Sequence, residues 1–398
     1  MTSLAPARAA RLLLNLGHAL DHMFLLIFAA AVTSIAAEFK VDRWEDLMPY
    51  GTGAFLMFGL ASLPAGRLGD LWGRRPMMLV FFFGLGGAAL LVACAQGPWT
   101  LAAALTLLGI FAAVYHPVGI PMLVQGADRP GRMIGINGLA GNLGVAVAAI
   151  LTGFLIKVAG WRLAFAAPGL LAIAAGIAFA RVARREPAPS ARKPAPDAAS
   201  ATRGMQARII LVMTATSATA NLLFNFSTNG NAQLLAERMD AIVRDPALLG
   251  LMLGAVYAVA SLTQVAVGVM IDRFPLKRLY FAVVAVQVPL LLLAVHAQGW
   301  WLLALQFGIM ASIFGAVPFI DATIVRFVDD RLRARVAGMR LTVSLGLSAI
   351  AVWALGPVVK AGGFTTLLAM MAVISVATVA AITALPGASV TRAQPATA

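Results

Sequence analysis

Apolar residues dominate long stretches of this chain, and short polar segments separate those stretches at regular intervals. A helix needs roughly 20 apolar residues to cross a bilayer. Runs of that length predict twelve spans, six before and six after a polar segment rich in Pro, Ala, Ser and Arg. The predicted spans cover residues 12–37, 47–69, 76–96, 99–125, 133–158, 162–182, 207–236, 247–271, 279–297, 300–327, 335–359 and 364–385.

The central polar segment divides the chain into two halves of similar pattern. We expect an all-α membrane protein in which residues 1–182 and 207–398 each form a six-helix bundle. Residues 183–206 have no apolar periodicity, which is typical of a flexible linker. Twelve transmembrane helices in two pseudo-symmetric bundles are therefore the predicted fold.

A charged, glycine-containing loop follows the second predicted span of each half. Residues 66–75 form the first copy and read GRLGDLWGRR. Residues 268–278 form a weaker copy, in which Asp272 aligns with Asp70 and Lys277 with Arg75. The repeat indicates that the two halves are related.

Composition and charge place the chain in a membrane. Charged residues make up 12% and hydrophobic residues 61%, whereas soluble domains average about 25% charged. The net charge is +14, but most of the 30 lysine and arginine residues fall on segments that share one side with the N-terminus. That bias predicts both termini and the linker in the cytoplasm of a bacterium, with the helices in its inner membrane. It also attracts anionic lipid and argues against a nucleic-acid partner.

No enzyme motif is visible. The chain has no phosphate-binding G-x-x-x-x-G-K-[ST], no metal-ligand spacing of Cys and His, and no nucleophile elbow. We expect neither catalysis nor a cofactor, and any transport would draw its energy from a gradient.

Ionisable residues inside the first and fourth spans are the first candidates for chemistry. A charged group in the hydrocarbon region costs at least about 2.5–3.5 kcal/mol, so it indicates function by default. Asp21 and His22 share a helix face with His18, and His116 lies at similar depth on an oppositely directed span. Alternatively, Asp21 and His116 satisfy each other and pin the two spans together, and His18 is a packing residue. The candidates are Asp21, His22 and His116 for proton coupling, and Asp21, Tyr115 and His116 for substrate contact.

The second half offers a polar stripe and one further carboxylate. Asn221, Asn225 and Asn229 recur every four residues on span 7, so they face protein or water. They predict either substrate contacts or hydrogen bonds between helices, while Gln264 is isolated and favours packing. Asp321 and Arg340 reach equal depth on spans 10 and 11, which predicts an ion pair used as a latch or for binding substrate.

The two-half pattern and the G-x-x-x-D-x-x-G-R-R loop resemble the major facilitator superfamily. The resemblance implies two halves that rock around a midplane cavity lined by spans 1, 4, 7 and 10. It also implies a monomer that carries a small molecule, and loops that hold the cytoplasmic side closed. The gating residues carried over are Gly66, Asp70, Gly73, Arg74 and Arg75, with Asp272 and Arg273 in the second copy.

A narrower set of motifs is similar to the fosmidomycin-resistance group of drug exporters. It comprises His18-Ala-Leu-Asp21-His22, Tyr115-His116-Pro117 and Gly141-Asn142-Leu143-Gly144. This resemblance implies efflux of a drug-like molecule in exchange for protons. The glycine-proline motif of antiporters is incomplete because no proline follows these glycines, so import of a small metabolite such as an organic acid, by symport or uniport, stays open.

Overall fold

The structure is a computed structural model that describes residues 8–125, 127, 129–183, 203–327 and 330–385. Helices occupy all twelve predicted positions, and nine helices within the described residues are long and apolar enough to cross a membrane. In the first half the helical segments are Arg8–Glu38, Trp44–Leu47, Met48–Gly51, Thr52–Leu60, Ser62–Trp72, Arg74–Ala93, Pro98–Ala112, Tyr115–Gly119, Ile120–Val124, Pro130–Ala159 and Trp161–Val182.

The second half repeats this arrangement. Spans 11 and 12 join in one long stretch that is broken at Gly363, whose φ of 68° lies in the left-handed region that favours glycine. Span 7 begins at Arg203, inside the segment predicted as linker, and residues 386–398 lie outside the described residues. The helices of this half are Arg203–Arg238, Pro246–Ile271, Leu276–Ala285, Gln287–Ala294, Gly299–Phe327 and Asp330–Thr383.

Two predicted spans of the first half are not continuous α-helices. Span 2 is built from four short segments, which places a 3₁₀ turn at Met48–Gly51. Span 4 contains a π-helical turn at Tyr115–Gly119, around Pro117. Proline has no N–H to donate to the preceding turn, so the hydrogen-bond ladder is interrupted there. The interruption lies beside His116, a candidate functional residue.

Matching contacts in the two halves support their relationship. The Arg75 guanidinium donates to the carbonyl oxygens of Ala180 and Ala183, each at 2.7 Å. Lys277, which aligns with Arg75, donates to the carbonyl oxygens of Thr383 and Leu385, each at 2.6 Å. In each half, the basic residue of the charged loop therefore binds the C-terminal end of the last span.

The halves meet closely on one side of the molecule. We call it the opposite side, because it lies across the membrane span from the linker ends at Val182 and Arg203. Spans 5 and 8 approach so closely there that a Cβ on Gly153 would lie 2.2 Å from the carbonyl oxygen of Pro246. Gln233 on span 7 also donates to the Ala29 carbonyl oxygen on span 1, at 2.7 Å.

Candidate functional site

A cavity of about 290 Å³ lies between the two halves. Both halves contribute to its wall, which is mostly apolar with a minority of amide, hydroxyl and imidazole groups. Among the described lining residues, none is a carboxylate, a lysine or an arginine. The wall is formed by His22, Leu25, Leu26, Phe55, Phe58, Ser62, Ala113, His116, Asn142, Val145, Ser217, Ala220, Asn221, Phe224, Asn225, Thr228, Gln264, Val317, Ile320, Ser344 and Ser348.

A buried carboxylate stands directly behind the wall of the first half. The side chain of Asp21 is fully buried, and its Oδ2 lies 3.4 Å from Nε2 of His116, whose side chain is 28% exposed. Neither carboxylate oxygen of Asp21 has a hydrogen-bond partner among the described residues. His116 and His22 line the cavity and Asp21 does not, so Asp21 meets the wall through its contact with His116.

A polar network anchors this cluster to span 5. The Tyr115 hydroxyl donates to the Leu14 carbonyl oxygen at 2.7 Å and accepts from the Asn137 amide at 2.7 Å. The same amide donates to Oδ1 of Asn15 at 2.9 Å. Tyr115 is fully buried and lies outside the cavity wall, so in this conformation its predicted contact with substrate would be indirect.

His18 belongs to the same network and also fixes the orientation of the imidazoles. Its Nδ1 lies 2.7 Å from the carbonyl oxygen of Asn137, and its ring stacks on Tyr115 with centroids 4.8 Å apart. The ring also packs edge-on against His22 at 4.7 Å and His116 at 5.1 Å. Three of the four histidines of the chain are thus gathered at one point.

Sequence reasoning missed Asn15 and Asn137. Asn15 is the one asparagine of span 1, and Asn137 shares span 5 with Asn142 five residues later, so neither shows the four-residue repeat that drew attention to span 7. The available signal was that an amide within a membrane span needs a partner inside the protein.

The polar stripe of span 7 forms part of the cavity wall that the second half contributes. The Asn225 amide donates to Oδ1 of Asn221 at 3.0 Å and to the Ser348 hydroxyl at 3.1 Å. Ser217 and Ser344 lie within hydrogen-bond distance at 3.0 Å. Asn229 is buried away from the cavity and donates to the Asn225 carbonyl oxygen at 3.0 Å. Span 7 therefore combines cavity-lining amides with hydrogen bonds between helices.

One hydrogen bond crosses the cavity wall from half to half. The Asn142 amide on span 5 donates to Oε1 of Gln264 on span 8 at 2.5 Å, and both residues line the cavity. Gln264 was expected to be a packing residue, and its place in the wall was not apparent from its isolated position on the span.

The predicted gating residues occupy the linker side. Arg74 donates to the Pro121 carbonyl oxygen at 3.2 Å and to Oε1 of Gln125 at 2.8 Å, and Gly73 has a φ of 95°. Gly66 packs against Pro117, since a Cβ there would lie 3.2 Å from it. The exposed residues of this group are Asp70, Asp272 and Arg273.

The predicted pair of Asp321 and Arg340 falls outside the residues whose side chains the structure describes. The same holds for Arg335, and so for the contact with Asp70 that the resemblance to the major facilitator superfamily implies for Arg335 or Arg340 at the start of span 11. Both the latch and this part of the gate stay predictions.

Two curated relatives from Streptomyces share sequence with part of the chain. The puromycin resistance protein of Streptomyces alboniger is 34% identical over 114 residues, covering 28% of this chain and 23% of that protein. The probable actinorhodin transporter of Streptomyces coelicolor is 31% identical over 153 residues, covering 37% of this chain and 26% of that protein. The matches thus span about a quarter of each relative's length.

Solved structures of transporters match the whole fold. The D-xylose–proton symporter superposes with a TM-score of 0.77 at 13% identity, over 95% of this chain and 98% of that one. An inward-facing bacterial homologue of the human lysosomal transporter Spinster gives 0.70 at 15% identity, over 94% of each chain. A sequence model of the Major Facilitator Superfamily matches residues 14–235. That match covers more than half of the chain, which therefore belongs to the Major Facilitator Superfamily of membrane transporters.

Proposed function

We propose that this protein is a secondary transporter that exports a small, drug-like molecule in exchange for protons. The observation that carries the proposal is the placement of Asp21, a fully buried carboxylate behind the wall of the central cavity. Its only close ionisable contact among the described residues is the 3.4 Å approach of His116. The proposed transporter works as a monomer in a bacterial inner membrane, with both termini and the linker in the cytoplasm.

Alternating access gives the physical basis for coupling. A buried carboxylate without hydrogen-bond donors is stable only when it is neutral or paired with a cation. Water that enters with an opening cavity favours the ionised form, so the carboxylate releases its proton on the side to which the cavity opens. His116 contacts Asp21 and lines the cavity beside His22, and in this mechanism the two imidazoles relay the proton.

The lining of the cavity suggests the class of substrate. Phe55, Phe58 and Phe224 offer apolar surface, while Asn221 and Asn225 offer amide groups. With no fixed charge among the described lining residues, the cavity suits an aromatic or apolar molecule with a few hydrogen-bonding groups. One curated relative is a puromycin resistance protein and the other a probable actinorhodin transporter, which supports the same class. The resemblance to fosmidomycin-resistance exporters belongs to this proposal as well.

Gating in this proposal uses the charged loops of the linker side. Asp70 contacts basic residues of span 11 when that side is closed, and Asp272 and Arg273 act in the equivalent place of the second half. Gly66 and Gly73 allow the close packing and sharp turn of the loop. Arg74 and Arg75 keep the loop attached to spans 4 and 6 as the first half moves.

A second candidate is import of a small metabolite by proton symport or uniport. The amides and hydroxyls of Asn221, Asn225 and Ser348 at one wall favour it, because such groups recognise hydroxylated or carboxylated metabolites. The fold supports either direction.

The test is a pH-gradient dye assay in everted membrane vesicles that contain the wild-type protein or Asp21→Asn. Phosphonates, lipophilic aromatic antibiotics and organic acids are added one at a time. We expect at least one compound to collapse the gradient only where Asp21 is present. Asp240→Asn is the matched control, because Asp240 is an exposed carboxylate that pairs with Arg244 outside the cavity. Equal responses from wild type and Asp21→Asn would overturn the role of Asp21, and accumulation of a compound by energised cells would favour the importer.

A further inference from the structure

The histidine cluster behind the cavity has a geometry that proton coupling does not require. His18 and His22 lie one turn apart on span 1, and His116 reaches them from span 4. One potential ligand atom from each of these three side chains lies within 4.8 Å of the others. Asp21 adds a carboxylate oxygen 3.4 Å from Nε2 of His116.

The tautomer of His18 is fixed by its surroundings. A carbonyl oxygen can only accept, so the contact of Nδ1 with the Asn137 carbonyl oxygen at 2.7 Å places a proton on Nδ1. In the neutral ring, Nε2 then carries the free lone pair. That nitrogen is buried and has no hydrogen-bond partner among the described residues, and the same is true of Nε2 of His22.

This arrangement is typical of metal-binding histidines. Such histidines usually donate the second ring N–H to a backbone carbonyl or carboxylate, which sets the tautomer and the ring orientation. We propose that His18, His22 and His116, together with Asp21, form a binding site for one divalent transition-metal ion of the Zn²⁺ class. The wall positions of His22 and His116 give an ion a path from the cavity.

The donor set selects the class of ion. Three imidazole nitrogens and one carboxylate oxygen suit Zn²⁺, Co²⁺, Ni²⁺ or Cu²⁺ and disfavour Mg²⁺ and Ca²⁺, which prefer oxygen. Ligands about 2.0–2.1 Å from a tetrahedral ion are roughly 3.4 Å apart. The imidazoles must therefore close by about 1.4 Å or less from their present separations. Sequence spacing gave no sign of the site, because the third histidine lies on a different span.

An ion and the coupling protons would use the same lone pairs. Metal binding requires deprotonated ligands, so an occupied site excludes protons from His116 and Asp21. If the proposed function is right, Zn²⁺ also inhibits proton-coupled transport. The binding itself is independent of transport, so its test can fail without touching the proposed function.

The test measures Co²⁺ binding to the full chain, purified in detergent without a polyhistidine tag and treated with a chelator. Tetrahedral Co²⁺ has a visible absorption that reports its ligands directly, and Zn²⁺ should displace it. We expect one Co²⁺ per chain, and an affinity loss on the order of 100-fold in His22→Ala and in His116→Ala.

His296→Ala is the matched control, because His296 is exposed and is the one histidine of the sequence outside the cluster. It should bind Co²⁺ as the wild type does. Size-exclusion profiles and unfolding temperatures confirm that each variant is folded. No visible Co²⁺ spectrum from the wild type, or equal binding by folded His22→Ala and His116→Ala, would overturn the proposal.

Discussion

Gly141 controls how closely span 5 packs against the histidine cluster. A Cβ at this position would lie 2.7 Å from Cε1 and 2.8 Å from Nε2 of His18. The ring cannot easily move, because it is stacked on Tyr115 and bound to the Asn137 carbonyl oxygen. We therefore expect Gly141→Ala to destabilise the protein by about 1–3 kcal/mol, as overpacking usually does. Thermal unfolding of the purified protein measures the effect.

Gly138→Ala is the control on the same helix. A Cβ at Gly138 meets no atom within 4 Å, so this change adds helix propensity without a clash and should leave the unfolding temperature unchanged or slightly higher. Equal unfolding temperatures for Gly141→Ala and the wild type would show that the His18 ring has room to move.

The spacing of residues along the sequence predicted only part of the site. Asp21 and His22 could be found from the sequence because residues three and four apart share a helix face with His18. His116 could be found because it lies at the same predicted depth in the membrane, on a span that runs in the opposite direction. The partner of His18 could not be found, because it is the backbone carbonyl of Asn137, a group that every residue carries. Tertiary packing alone selects it.

Helix ends at the linker side depend on basic residues of the charged loops. Arg75 binds two carbonyl oxygens at the end of span 6, and Lys277 does the same at the end of span 12. These carbonyls have no partners within their own helix, and a cation there also interacts favourably with the helix dipole. The contact therefore occurs in both six-helix halves and does not depend on the complete loop motif of the first half.

Because lysine serves in the second half, we expect Arg75→Lys to be tolerated and Arg75→Gln to be destabilising. Hydrogen bonds from a charged group contribute about 1.5–3 kcal/mol, and glutamine loses both the charge and the reach. The unfolding temperatures of the three proteins measure this difference. If Arg75→Lys is as unstable as Arg75→Gln, the geometry of the guanidinium rather than its charge holds the end of span 6.

Elements could be predicted where hydrophobicity alone determines them. The long apolar runs gave the positions of the helices, because a membrane span needs a minimum length of apolar chain. The breaks in span 2 and the π-helical turn around Pro117 could not be located in this way, since hydropathy does not record hydrogen-bond patterns. The predicted boundary between spans 11 and 12 agrees with the structure, because the helix is broken at Gly363.

For the whole molecule, contacts on the opposite side hold the halves together. Lys157 on span 5 pairs with Asp245, which caps span 8 by accepting from the Ala247 amide at 2.9 Å. Lys360 on span 11 pairs with Asp46 at 2.5 Å. Each pair joins one half to the other, and the two pairs lie in equivalent places of the repeat. Opening on this side must therefore break both.

The Lys157 pair persists through the pH range in which histidines titrate. Lys157 holds the pKa of Asp245 below its ordinary value through a hydrogen bond. A group with a lowered pKa keeps its contribution above the ordinary pKa and loses it only as the pH falls through the lowered one. Between about pH 5 and pH 8 the Asp245 carboxylate therefore stays charged, so a pH response in this range must come from another group.

We expect the double variant Lys157→Met with Lys360→Met to shift the protein toward states open on the opposite side. Exposed ion pairs contribute about 0–1 kcal/mol each, so the shift should be partial, with both states populated. Spin labels at Asp42 and Ile242, exposed positions in the two halves on that side, report the distance between the halves. The wild type should give mainly the short distance, and the variant a second, longer one.

Arg244→Met is the control, because it breaks only the pair with Asp240 within one half and should leave the distances unchanged. An unchanged distribution in the double variant would mean that close packing at Gly153, rather than charge, holds this side closed.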